Sequence, residues 1–191
     1  MSLSDLIRWG GLLAVVAAAL FIIADLVTVV SAFGGGSMGG LLFRAALSAS
    51  AGVLLALGLV ALYAPQTQEA GYLGLVGFLA AFLALWLGQQ NLVWAALVAN
   101  VGWALFGVGS LQARTYPRVA TILLIVGAVL AGVINLVFAA LSLGQTTTAA
   151  YFAGLGALAD IIFNVGVAWL GLSLFMGRRA QEEVAARQPA R

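Results

Sequence analysis

Seven side chains sit in or beside otherwise apolar stretches of this 191-residue chain and could do chemistry there: Asp25, Arg44, Gln89, Asn100, Asn135, Asp160 and Asn164. Two carboxylates, a guanidinium and four amides can bind an ion or small solute, or they can hydrogen-bond helices to one another. Asp160 and Asn164 are spaced i, i+4 and so share one face of a helix. Two carboxylates on different segments are also the raw material of an intramembrane acid/base dyad. Here Leu26 follows Asp25 and Ile161 follows Asp160, without the flanking Tyr or Gly that such sites use. The expectation is therefore a protein that is not an enzyme.

The residue types that are missing narrow the chemistry further. The chain has no His, no Cys and no Lys, and all eight of its basic residues are Arg. That excludes imidazole- or thiolate-ligated metals and Schiff-base cofactors, as well as disulfides. No cofactor is expected. The glycine-rich stretch from Gly34 to Gly40 lacks the Lys-Ser/Thr and strand–helix context of a phosphate loop.

The elements that must carry these residues follow from hydropathy. Hydrophobic residues make up 64% of the chain and charged residues 7%, with a mean hydropathy of +1.14. An ordinary globular domain has roughly a quarter of its residues charged, so the composition predicts an integral membrane protein. A spanning helix needs about 20 apolar residues. Six such stretches are read, at about 9–33, 42–64, 72–88, 92–111, 119–143 and 151–177. Pro65 stops the second, and Pro117-Arg118 starts the fifth. Val30-Ser31-Ala32 resembles a cleavage site, but the first apolar run is too long for a signal peptide, so it is read as a retained span. The predicted fold class is an all-α bundle of six transmembrane helices. One domain covers 1–179, and a cytoplasmic tail covers 180–191.

The arginines orient the bundle. With six spans, Arg8, Arg114, Arg118, Arg178, Arg179, Arg187 and Arg191 fall on one side and only Arg44 on the other. The positive-inside bias then puts both termini in the cytoplasm.

Self-comparison suggests an internal repeat. Setting Arg8 on Arg118 lays Asp25 on Asn135 and Gly34 on Gly144. Setting Asn100 on Asn164 lays Gly102 on Gly166, Gly107 on Gly171 and Arg114 on Arg178. Span two is a weaker copy, with Leu57-Gly58-Leu59 on Leu170-Gly171-Leu172, and span three follows span one. The expectation is three helical hairpins in parallel repeat.

Depth follows from the arginine anchors. Asp25 lies 17 residues beyond Arg8, and Asn135 17 beyond Arg118, or about 25 Å at helical rise. Asn100 and Asn164 each lie 14 residues from their anchors, Arg114 and Arg178, or about 21 Å. In a core about 30 Å thick, these groups share the outer half, and the inner half is aliphatic. A contact of Arg44 with Asp25 or Asp160 would offset the burial of both. Trp9, Tyr63, Tyr72, Tyr116, Trp94 and Tyr151 are read as interfacial aromatics, and Trp86, Trp103 and Trp169 as lying deeper.

One stretch carries a family likeness. The run from Phe106 through Gln112-Ala113-Arg114-Thr115-Tyr116-Pro117-Arg118, followed by Ile122 to Gly127, resembles the fourth-to-fifth-span junction of uncharacterised six-span bacterial membrane proteins, a domain of unknown function. The resemblance implies the six-span fold and a bacterial inner membrane. It implies no activity.

Two readings of function follow. The first is a non-catalytic structural or accessory subunit, motivated by the short loops and small-residue faces; its partners are the lipid bilayer and other membrane subunits, with no nucleic acid. The alternative is a protein that binds or transports a small solute, ion or lipid in an outward-facing polar pocket. A pocket requires the polar groups to converge on one cavity. Interhelical bonding requires only that they pair off locally.

Overall fold

The structure is a computed structural model. It describes residues 3–34, 38–87, 93–141 and 147–187. In the order of the chain these form α1 (Leu3–Gly34), α2 (Met38–Tyr63), a 3-10 turn (Ala64–Gln66), α3 (Gly71–Leu87), α4 (Val93–Ala113), α5 (Arg118–Ala140) and α6 (Thr147–Arg187). There is no strand among the described residues. Backbone polar groups have no water to bond in hydrocarbon, so an apolar chain of this length satisfies them within helices. Among the described residues five helices are long and apolar enough to cross a membrane, as in a multi-pass membrane protein. The sixth, α3, has 17 residues, about 25 Å at helical rise.

The proline punctuation has a clear structural outcome. Pro65 lies in the 3-10 turn that ends α2. The chain then turns through Gly71 at φ +58, a left-handed conformation open to glycine without cost. Pro117 supplies the carbonyl that accepts the Thr121 amide, at 3.2 Å, in the first turn of α5. Other boundaries differ from the hydropathy reading. Gly34, Met38, Gly39 and Gly40 belong to helices, as do Thr147 to Ala150. The last helix continues without a break through Arg187, so 180–187 is an extension of α6.

The helices form a circuit. In space α2 packs on α1, α1 on α6, α6 on α5, α5 on α4 and α4 on α3, while α2 and α3 meet only sparingly. Each close neighbour runs antiparallel to the next. Gly10 faces Ala61 and Gly58 faces Ala14 between α1 and α2; Gly77 faces Phe106 and Gly109 faces Gly74 between α3 and α4; Gly127 faces Phe163 and Gly166 faces Leu124 between α5 and α6.

Small residues set these distances. In lipid there is little hydrophobic drive between helices, so close backbone approach and dispersion must hold them. Each hairpin has at least one glycine lying against a backbone amide nitrogen of its partner helix. A Cβ on Gly58 would come within 2.8 Å of the Ala14 nitrogen, one on Gly102 within 2.5 Å of the Ala81 nitrogen, and one on Gly166 within 2.6 Å of the Leu124 nitrogen. Fully buried alanines, among them Ala14, Ala18, Ala81, Ala120 and Ala128, line the same interfaces. Below them Leu59, Leu62, Phe106, Leu124, Val167 and Leu170 pack the centre of the bundle. The outer surface is apolar, with Val53, Val101, Val133 and Leu136 all exposed, as suits contact with lipid.

Three aromatics depart from expectation, Trp86 among them: expected deeper, it is 65% exposed on α3. Tyr116 is buried rather than interfacial, and its hydroxyl donates to the Leu62 carbonyl at 2.6 Å, tying the α4–α5 junction to the end of α2. Trp169, expected deeper, is 43% exposed on the outer face of α6. Trp103 is a core residue, edge-on to Phe106 and Phe163.

Because the atom facing Gly102 and Gly166 is backbone, it cannot swing aside. Gly102→Val or Gly166→Val is expected to lose about 1–3 kcal/mol of stability to overpacking. Gly177→Ala, with nothing within 4 Å of the new methyl, is expected to be neutral or stabilising. Unfolding midpoints in a single mild detergent check both.

Candidate functional site

The polar residues collect at one end of the bundle because of helical spacing. On α1, Phe21, Asp25 and Thr28 recur at i, i+4 and i+7, so they form one stripe. On α6, Gly156, Asp160, Phe163 and Asn164 recur likewise. Since neighbouring helices are antiparallel, the late part of α1 lies beside the early part of α6, the late part of α5 and the start of α2. Two adjoining cavities lie where these meet, of about 190 Å³ and 250 Å³. Asp25, Arg44, Asn135 and Asp160 line both. The first also touches Thr28 of α1 and Phe138 of α5. The second reaches Asn100 and Trp103 of α4, Leu85 of α3 and Asn164 of α6, so all six helices border it.

Of the seven residues singled out from sequence, the structure thus brings six to one polar chamber: Asp25, Arg44, Asn100, Asn135, Asp160 and Asn164. Gln89, with its neighbours Gln90 and Asn91, lies outside the described residues. Asp25 and Asn164 are buried; Arg44 remains exposed at the chamber's edge.

The best-defined contact within the chamber belongs to Asn164. Its Nδ2 donates to Asp25 Oδ2 at 3.3 Å and to the Asp160 carbonyl at 2.9 Å. Both partners are acceptors, so the amide orientation is fixed by chemistry. The amide oxygen must then point the other way. It is buried and has no hydrogen-bond partner. An unsatisfied buried acceptor costs roughly 1–3 kcal/mol, which makes it a place where a donor is wanted.

The charges are unequal. Asp25, Asp160 and Arg44 border the same two cavities. No direct ion pair joins Arg44 to either carboxyl group among the described residues, so the contact expected from sequence is not formed. One guanidinium thus stands against two carboxyl groups around one space. The chamber can therefore attract a cation, and its free acceptors favour one that carries N–H or O–H donors.

One residue escaped the sequence reading. Gln66, assigned to a loop, is fully buried at the opposite end, with both Oε1 and Nε2 unpartnered. Proximity to Pro65 gave no sign of this, since its burial depends on the 3-10 turn folding under the bundle.

No protein-family model, no curated protein and no solved structure matches the chain.

The Asn164–Asp25 bond joins α6 to α1 across a wide sequence gap, and bonds of this kind are typically worth a modest 0.6–2 kcal/mol in membranes. A double-mutant cycle of Asn164→Ala and Asp25→Ala is expected to return a coupling in that range. Additive losses of stability would show that the bond contributes nothing to the packing of α1 on α6.

Proposed function

We propose that this is a six-span membrane protein with both termini in the cytoplasm, and that it binds a small organic cation in the chamber at its outer end. The carrying observation is convergence: two carboxyl groups, the unpaired Asn164 oxygen and only one guanidinium face the same space. Groups serving solely to pair helices would close on each other and leave no volume between them. Here the chamber exceeds what a bare ion needs, since a water molecule occupies about 30 Å³. Among the described residues no third carboxylate joins the pair to build a metal cage.

The six-span reading rests on α3 packing along α4 as the other hairpins pack, although α3 is the shortest helix. The orientation rests on the arginine bias. A three-hairpin parallel repeat is supported by glycine–amide contacts in each hairpin, at Gly58, Gly102 and Gly166, of which Gly102 and Gly166 coincide in register and Gly58, set on Gly171 by the self-comparison, does not. The contacts of Ala14 and Leu124 keep the register that sets Arg8 on Arg118, and Gly102 and Gly166 keep the one that sets Asn100 on Asn164. Beyond the chamber the centre of the bundle is filled by Phe106, Leu59 and Leu124. This favours binding from one side over passage through the bundle, and it favours a binding protein over a purely structural subunit. A bacterial inner membrane fits the arginine pattern and the likeness at the Pro117-Arg118 junction.

The test is a calorimetric titration of the purified protein with n-butylammonium, using n-butanol as the uncharged analogue. Butylammonium is expected to bind and butanol is not. Asp25→Asn and Asp160→Asn should each weaken binding at least tenfold, about 1.4 kcal/mol. Equal affinity in wild type and both variants would overturn the assignment.

A further inference from the structure

The apolar counterpart of the polar chamber is the seam between α2 and α3. A groove of about 430 Å³ runs there, larger than either polar cavity. Ala49, Gly52 and Ala56 of α2 form one wall, and Phe82, Leu85 and Trp86 of α3 form the other. These two helices are the one adjacent pair in the circuit that meets sparingly. The reason lies in the residues. The glycine face of α2, at Gly58, is used against α1, and that of α3, at Gly74 and Gly77, is used against α4. What α2 presents toward α3 is Ala49, Gly52 and Ala56 with Val53, Leu57 and Val60 beside them, and these leave the gap unfilled.

The groove and the chamber are continuous in their walls. Leu85 borders both. On the chamber side it stands with Leu55 of α2, and on the groove side with Trp86, which is 65% exposed. Leu85 is thus a wall shared by the apolar groove and a space lined by two carboxyl groups and an unpaired amide oxygen.

We propose that the ligand of the chamber is an amphiphilic amine, with its ammonium head among Asp25, Asp160 and Asn164 and its alkyl chain lying in the α2–α3 groove past Leu85. This rests on the chamber being a cation site, as proposed above, and adds the chemical class of ligand and its route of entry. Charge complementarity selects the head: an ammonium brings positive charge to a wall with two carboxyl groups and one guanidinium, and the N–H donor that the Asn164 oxygen lacks. The groove selects the tail, since its lining offers hydrocarbon and no polar partner. Entry is lateral, from the membrane, by movement of the Leu85 side chain.

The experiment compares n-butylammonium with n-dodecylammonium, in wild type and in a groove-filled variant carrying Ala49→Phe and Val53→Phe, all in phosphatidylcholine nanodiscs. Val53 lines the groove and is exposed, so both substitutions add bulk without entering the core. Filling the groove is expected to weaken dodecylammonium at least tenfold and to leave butylammonium within twofold. Partitioning of the long chain into the bilayer is common to both proteins and cancels in the comparison. If dodecylammonium binds the variant as it binds wild type, the groove is not the seat of the chain; the inference falls and the cation chamber stands. If wild type binds neither amine, the chamber reading itself falls. If the variant loses both amines alike, a second measurement decides. Saturable quenching of Trp86 fluorescence by 12-bromododecylammonium, taken as the difference between wild type and Trp86→Phe, should disappear in Asp25→Asn. Persistence of that quenching in Asp25→Asn would overturn the inference.

Discussion

A glycine resting on a neighbouring amide is the contact on which this bundle is built. Gly58 on Ala14, Gly102 on Ala81 and Gly166 on Leu124 bring backbones together where no side chain would fit. In a membrane close packing of this kind is a principal means of holding helices, because burying apolar surface against protein gains little over burying it against lipid tails. The contacts fix the separation within each hairpin, and alanines such as Ala81 and Ala128 extend them along the interface. Each tight contact is local to a particular depth. Where α2 faces α3, Gly52 lines the groove without a close partner, and the bundle is loose. The groove is then a consequence of where the tight contacts fall: α2 is held on α1 and α3 on α4, and neither is drawn to the other.

Burying Asp25 and Asn164 beside this open volume has a cost that the protein offsets only in part. The amide nitrogen of Asn164 is used twice, by a carboxylate and by a carbonyl, and its oxygen is used by nothing. Thr28 deals with its own hydroxyl by bonding back to the Ala24 carbonyl at 3.0 Å, as do Ser110 to Phe106 and Thr121 to Pro117 at the other end. Such back-bonding makes a hydroxyl nearly invisible to neighbouring helices. A carboxylate has no comparable escape, because its own helix offers it no donor. Asp25 and Asp160 must therefore look across the chamber, whereas Thr28, which also lines it, is satisfied within its own helix.

The sequence was most informative where one residue type settles a local question. Pro65 and Pro117 end and begin helices because a proline nitrogen cannot donate, and the structure has α2 ending at Tyr63 and α5 beginning at Arg118. Counting from the arginines put Asp25, Asn100, Asn135 and Asn164 in the outer half, and these residues line the adjoining cavities. Depth is legible because helical rise is constant. Direction around the helix axis is not legible in segments apolar on every side. Nothing in the sequence of α6 says that Trp169 faces outward while Phe163 faces Trp103. Tyr116 shows the same limit: a tyrosine near a span end looks interfacial until a carbonyl from a distant helix, Leu62, turns out to lie within its reach.

The α2–α3 seam was beyond sequence reading for a deeper reason. Ala49, Gly52 and Ala56 form a small-xxx-small row of the kind that elsewhere in this chain marks a close contact, as Gly127 with Ala131 does on α5. The pattern states that close approach is permitted; it does not state that a partner is present. On α5 the partner, Phe163 of α6, fills the space over Gly127. On α2 the same kind of surface faces Phe82 and Trp86 across a gap. What separates packing from cavity is whether the opposite helix is already held elsewhere. Here α3 is held by α4 through Gly74 and Gly77, and α4 is held by α5 where Gly107 meets Ile125. Closing the seam would require α3 to leave its glycine contacts, which are the better ones. The opening beside Leu85 is thus enforced by the packing of the other helices.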